Sequence, residues 1–353
     1  MCLTHHAFCI NRMHTVCRWR AGWRTYMAKI IDFGRRNLAW VLLVFICIIF
    51  SFTSRNFFTV TNILNILNQN AYIIISTYGI ALIMMSGGLD MAVGYQMSIC
   101  GVICALLVTQ WGMPILLAFL ITIAISVLFG ALGTLLEQLL QLPRIFISIG
   151  LSTVYQGIAY VITNSKTISG LPDSFKVLGQ GTILHPSLTW ATIIMIVFGV
   201  VMSFVMSRTY FGRYVFALGG NEAAARLAGI NVKKMKYVIG CVAGFFCGLG
   251  ALILTSRVGA AAASTAAGTE ITIMTGVLVG GVSVRGGDGK IANCIAGVLI
   301  MGLLANGMQL AGLNTYYQYI AKGSIMLLVM WFDAFQIKRR AIAANKRKEA
   351  RAE

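Results

Sequence analysis

"LGGNEAAARLAGINVKKMK", residues Leu218–Lys236, is a charged island in a chain that is otherwise a succession of apolar stretches. Asn221 is placed to cap a helix, and Glu222 follows in the first turn, where the helix dipole favours an acid. The alanines favour helix, and Gly229 fits a C-terminal stop. The pattern predicts about two turns between Gly220 and Gly229. Leu227, with Ala223 and Ala224 on nearby turns, then forms a small apolar knob, while Arg226 stays in water. A helix this short is marginal alone. It must pack against something, either the chain's own helix ends or a soluble partner.

The surrounding chain has the composition of a protein that lives in lipid. Of 353 residues, 58% are hydrophobic and 11% charged, and the mean hydropathy is +0.82. A soluble domain is nearer half apolar and a quarter charged. The 37 glycines and 4 prolines agree, because close helix packing in a bilayer favours small residues. The formal charge of +18 raises the question of nucleic acid. The Lys and Arg residues gather at segment ends and form no basic stripe, so no nucleic-acid partner is expected and the charge is read as membrane orientation. Nine cysteines show no metal-ligand spacing. Cys47, Cys100, Cys104, Cys241, Cys247 and Cys294 fall in apolar runs, where cysteine acts as a small hydrophobe, so neither metal nor disulfide is expected.

Residues 1–37 read as an N-terminal cytoplasmic extension. Its first part, with Cys2, Cys9, Cys17, His5 and His6, has no long apolar core and no small-residue cleavage site, so it is not a signal peptide. Met27 is the expected functional start.

A span needs about 20 largely apolar residues. Ten segments qualify: 38–53, 62–86, 93–110, 114–139, 146–163, 188–206, 237–256, 269–284, 291–311 and 317–336. The prediction is an all-α fold, a polytopic transmembrane bundle of about ten spans in one membrane domain, 38–337. Orientation follows the basic residues. Arg35 and Arg36 precede the first span, seven Lys or Arg lie in the tail 338–353, and the loop 207–236 carries Arg208, Arg213, Arg226, Lys233, Lys234 and Lys236. Both termini and this loop are therefore expected in the cytoplasm, which ten spans allow with six before the loop and four after it. The longest outer segment, 164–187, reads equally as a cover or as a contact surface for an external partner.

No nucleophile–base pair or metal arrangement appears in the sequence, which argues against a membrane enzyme. "VRGGDGKI" (284–291) resembles a phosphate loop only superficially. The nucleotide motif needs a Gly five residues before its Gly-Lys pair and a Ser or Thr after it, and Val284 and Ile291 stand there. Any ATP hydrolysis thus belongs to another chain. Gly240, Gly244 and Gly248 share one helix face and invite close helix packing, within this subunit or at a subunit interface.

Ionisable groups at membrane depth are costly and often functional; Asp90, Glu137, Glu270 and Lys322 are the candidates. Asp90 and Glu137 are expected near the inner face within reach of water, and Glu270 and Lys322 toward the outer face, pairing across helices. Asn65, Asn68, Gln69 and Asn70, with Tyr155 and Gln156, supply hydrogen-bonding groups. Of these, Asn68, Asn70, Tyr155 and Gln156, together with Glu270, are candidates to line a path for a neutral, polyhydroxylated solute. Their spacing does not place them all on one face, so helix packing is the competing role.

"RTYFGRYVFALGGNEAAARLAGINVKKMK" (208–236) resembles the cytoplasmic coupling loop of ribose-type sugar ABC importer permeases, in the branched-chain amino acid/ribose permease family. "NILNQNAYIIISTYGIALIMMSGGLDMAVG" (65–94), "LPRIFISIG" (142–150), "VLVGGVSVRGGDGKI" (277–291) and "NGMQLAGLNTYYQYIAKGSIMLL" (306–328) resemble further family segments in the same order. The resemblance implies a bacterial inner-membrane translocation subunit that takes a monosaccharide, ribose-like or related, from an extracytoplasmic sugar-binding protein. It implies a second permease chain, identical or not, and a cytoplasmic ABC ATPase that binds the ATP and Mg; this chain itself carries no cofactor. Carried over, Gly219, Gly220, Asn221, Glu222, Ala223, Ala224, Leu227, Gly229 and Ile230 form the helix that couples to the ATPase. Departures from the family pattern are Thr272 in place of an acid, Gln156 in place of an Arg, and Ala92 in place of a Ser, which leave the solute open. The alternative is an ATP-independent secondary transporter or facilitator, which would move solute without any partner.

Overall fold

The computed structural model describes residues 38–53, 57–183 and 185–352; the expected extension 1–37, including Met27, lies outside the described residues. Five helices open the fold: α1 (Leu38–Thr53), α2 (Val60–Met85), α3 (Val93–Thr109), α4 (Ile115–Leu140) and α5 (Arg144–Thr163). A connecting segment holds α6 (Asp173–Gln180) and an antiparallel ribbon of β1 (Thr182–Ile183) and β2 (His185–Thr189). Then come α7 (Trp190–Arg208), α8 (Tyr210–Gly220), α9 (Glu222–Leu227), α10 (Val232–Val258), α11 (Thr269–Val279), α12 (Ile291–Leu310) and α13 (Thr315–Ala352).

Each of the ten apolar segments overlaps a helix, the one at 269–284 only as far as Val279 and the one at 188–206 only from Trp190. Six of these helices, α2, α4, α5, α7, α10 and α12, are long and apolar enough to cross a membrane, and α1, α3 and α11 are shorter apolar helices. The chain is a multi-pass membrane protein. Three features differ from the sequence expectation. The outer segment 164–187, read equally as a cover or a contact surface, contains α6, β1 and the start of β2. The loop 207–236 contains a second helix, α8, whose Gly212, Val215 and Leu218 are buried at a spacing of three. Finally, α13 continues through the basic tail to Ala352 instead of ending near 336.

Helix α10 is the axis of the bundle, packing most extensively along α4 and α2 and also meeting α3 and α6. Its three-glycine face stands against α4 in this same chain. A side-chain carbon on Gly240 would meet Thr134, and one on Gly244 would come within 2.9 Å of the Val127 backbone. One on Gly248 would come within 2.7 Å of the Ser126 side chain. Close approach also allows a polar crosslink: Ser126 Oγ donates to the Gly244 carbonyl at 2.7 Å, and Gln96 Nε2 donates to the Ser126 carbonyl at 3.0 Å. Such bonds satisfy groups that hydrocarbon cannot.

Contacts sort the helix ends into two groups. At one end the α2 terminus meets the glycine loop 285–289, where Gly287 N–H donates to Met85 O at 2.9 Å. There too Gln138 Nε2 of α4 donates to Lys233 O of α10 at 3.2 Å. At the opposite end Arg257 Nη1 of α10 donates to Gln69 O of α2 at 2.9 Å. Gln180 Nε2 of α6 donates there to Arg257 O at 2.9 Å. Ile168 and Ala261 exchange two backbone bonds at 2.8 and 2.9 Å.

Helix α3 is displaced along this axis. Its first carbonyl, Val93 O, faces Cys247 Sγ at 3.6 Å, near the middle of the 27-residue α10. Ser98 Oγ accepts the N–H of Ala266, just before α11. The segment Ser86–Ala92 therefore runs from the bundle end up to mid-depth, where the first turns of α3 and α11 meet.

Candidate functional site

Helix α9 owes its limits to local chemistry. Asn221 Oδ1 accepts the Ala224 N–H at 3.0 Å, supplying the N-cap that an extended Asn221 allows. Gly229 ends the turn at φ +84°, a conformation that L side chains resist, and Ile230 N–H closes back on Ala225 O at 3.1 Å. Asn231 then caps α10 through Lys234 N–H at 3.0 Å. Ala225 alone of α9 is buried; Asn221, Glu222, Ala223, Ala224 and Gly229 are exposed. Leu227 is 91% exposed. Gly219 and Gly220, at the end of α8, pack beside Gly287, so the approach to α9 rests on the same bundle end as Met85 and the 285–289 loop.

Glu222 is not a free charge. Its carboxylate lies 3.5 Å from Arg226 in the next turn and 3.0 Å from Lys236 Nζ on α10. Lys236 also meets Glu137 Oε1 of α4 at 3.1 Å. Glu137 Oε2 lies 3.7 Å from Arg144 Nη1, at the start of α5. Arg144 grips Asp90 through Nη2 at 2.7 Å and Nε at 3.1 Å, and donates to Thr134 Oγ1 at 2.7 Å. Asp90 spends its other oxygen on the Ala92 N–H at 2.9 Å, just before α3. Asp90 is 5% exposed and Arg144 8%, so the expectation that water reaches Asp90 is corrected: a guanidinium replaces the water. A cavity of about 810 Å³ opens beside this line, walled by Glu137, Arg144, Glu222, Arg226, Lys233 and Lys236.

The path candidates do not converge on one surface. Asn68 Oδ1 accepts from the hydroxyls of Thr189, at 2.9 Å, and Thr192, so it ties α2 to the ribbon and to α7. Asn70 is buried, donates to Ile66 O at 2.7 Å, and packs against Gly302 of α12. Tyr155 is buried with its ring 4.6 Å from that of Phe129, and its hydroxyl has no partner among the described residues. Gln156, on the next residue, is partly exposed. Glu270 accepts the Gly268 N–H at 3.2 Å and lies against Gly94 in the first turn of α3. Its second carboxylate oxygen is buried without a partner among the described residues, so the expected pairing with Lys322 is not formed.

The sequence reading named Asp90 and Glu137 singly and missed their joining through Arg144 and Lys236. The signal was present in Arg144, a cation two residues after the apolar Leu142 and opening an apolar helix, which demands an acid nearby. The acid lies 54 residues away along the chain, so spacing could not identify it.

Residues 62–330 match the family model described as branched-chain amino acid transport system / permease component. The chain is 33% identical to the ribose import permease of Haemophilus influenzae, over 84% of this chain and 92% of that protein. It is 31% identical to the ribose import permease of Bacillus subtilis, over 82% and 90%. The xylose transport system permease of Haemophilus influenzae is 25% identical, over 85% and 97%. No solved structure matches the chain.

Proposed function

We propose, because the chain belongs to the branched-chain amino acid transport system / permease component family, that it is the sugar-translocating membrane subunit of an ABC importer. Its relatives are named for ribose and xylose, which favours a monosaccharide as the solute. In this reading ten helices span a bacterial inner membrane, both termini and α9 face the cytoplasm, and the α6–ribbon segment faces the exported sugar-binding protein. Positive charge at the α9 end, from Lys233, Lys234, Lys236 and the tail, supports that orientation. A separate ATPase binds ATP and Mg, and a second permease chain completes the path. Residues Gly219, Gly220, Asn221, Glu222, Ala223, Ala224, Leu227, Gly229 and Ile230 dock the ATPase, Gln156 and Glu270 border the path, and Tyr155, Asn68 and Asn70 hold its helices.

The single observation that carries the reading is α9 itself. A capped two-turn helix, tied by Glu222 to the bundle, presents its largest apolar side chain, Leu227, to solvent. An exposed leucine on a held helix is a knob suited to a cleft in another protein. The test is ribose uptake into vesicles. Uptake should require this chain, the ATPase, the binding protein and internal ATP together. Uptake by vesicles holding this chain alone, without nucleotide, would replace the importer with a facilitator.

A further inference from the structure

Five charged side chains of alternating sign run from the tip of α9 to the foot of α3: Glu222, Lys236, Glu137, Arg144 and Asp90. Their side chains become steadily drier inward, from 44% exposed at Glu222 through 24%, 16% and 8% to 7% at Asp90. Each step inward is therefore less screened than the one before. The line has one loose joint. Glu137 holds Lys236 at 3.1 Å but Arg144 only at 3.7 Å. The mouth segment Asp90–Ala92 hangs on α5 at two places, Arg144 on Asp90 and Ser148 Oγ accepting the Met91 N–H at 3.0 Å.

We propose that Lys236 and Glu137 form a relay through which displacement of α9 repositions Arg144, and that Arg144 is the positioning residue that sets the mouth of α3. The proposal rests on the reading of α9 as the ATPase-docking helix. When the motor draws α9 away, Lys236 loses one of its two carboxylates and takes the other, Glu137, more fully. Arg144 is then left to Asp90 and Thr134, and α5 shifts with the mouth segment attached. The first turn of α3, whose Gly94 lies against Glu270 at mid-depth, moves with it. A charge line suits this task better than packing, because a chain of ion pairs has discrete partner choices, and a bistable element is what transmits a shift.

The experiment is hydrogen exchange on the complex of this chain with its ATPase in nanodiscs, with ADP and with trapped ATP. In the unaltered complex the nucleotide should change protection at both 222–227 and 86–92. Lys236→Met should keep the change at 222–227 and shrink the change at 86–92 by roughly two- to thirty-fold. Lys236→Arg should restore it, which a residue serving only to fill space would not require. Glu137→Gln is the second variant if Lys236→Met does not assemble, with the same expectation. Combined, the two changes should be no worse than the stronger one alone, as for two links of one line. A full response at 86–92 in Lys236→Met, or additive losses in the pair, overturns the relay. Absence of any change at 86–92 in the unaltered complex overturns it too. Absence of a change at 222–227 in the unaltered complex instead removes the docking role of α9, a separate failure.

Discussion

Leu227→Ala separates docking from folding. The side chain is 91% exposed, so the folded subunit gains almost nothing from it. Substitutions at such sites move stability by about 0.5 kcal/mol or less, and the unfolding midpoint should shift by less than about 2 °C. In the docked complex the same side chain enters a cleft. Removing three buried carbons at about 0.8 kcal/mol each costs roughly 2.4 kcal/mol of association, about fifty-fold in Kd. Leu227→Asp should be worse, because it buries an unpaired carboxylate. Glu222→Arg is a less informative probe, since Glu222 also holds Lys236 and Arg226 and its loss disturbs the bundle end. The assay is titration of purified ATPase onto nanodisc-embedded subunit, with thermal unfolding of the subunit run alongside. An unchanged Kd in both Leu227 variants would falsify the docking role. A midpoint that falls by several degrees would show that Leu227 serves the chain's own packing.

Gly244→Ala should lower thermal stability in detergent by about 1–3 kcal/mol, because the added carbon meets the Ser126 and Val127 backbone and forces α4 from α10. Gly150→Ala, with nothing within 4 Å, is the matched control and should lose none. Arg144→Met strands a buried Asp90 and should cost about 3–5 kcal/mol by the same assay. Adding Asp90→Asn should recover much of that loss, since the uncompensated charge is then gone. Asn68→Ala removes the acceptor shared by Thr189 and Thr192. It should raise hydrogen exchange across 182–192 by the equivalent of about 1 kcal/mol while ATPase affinity stays unchanged.

How far these features were legible depended on their range along the chain. Helix α9 was readable because its start and stop are local: Asn221 bonds a group three residues on, and Gly229 needs only its own backbone freedom. Helix α8 was equally local in principle, with buried Gly212, Val215 and Leu218 three apart, but the glycines and basic residues around it masked the pattern. The foot of α3 was illegible. Ser86–Ala92 reads as a turn between spans, whereas it climbs to mid-depth because Asp90 and Met91 are held by Arg144 and Ser148 of a later helix. Asn68 and Asn70 looked like lining because amides in an apolar run need partners. Those partners proved to be other helices and the ribbon, with no common surface.

Composition, apolar runs and basic flanks determined a helical membrane protein with a polar, capped knob between its seventh and tenth helices, because hydrophobicity and capping act over a few residues. Tertiary structure alone decided that Gly240, Gly244 and Gly248 face α4, and that five charges join α9 to α3. The decisive pairings, Arg144 with Asp90, Lys236 with Glu137 and Ser126 with Gly244, join residues 54, 99 and 118 positions apart, where each group has many possible partners in sequence and one in space.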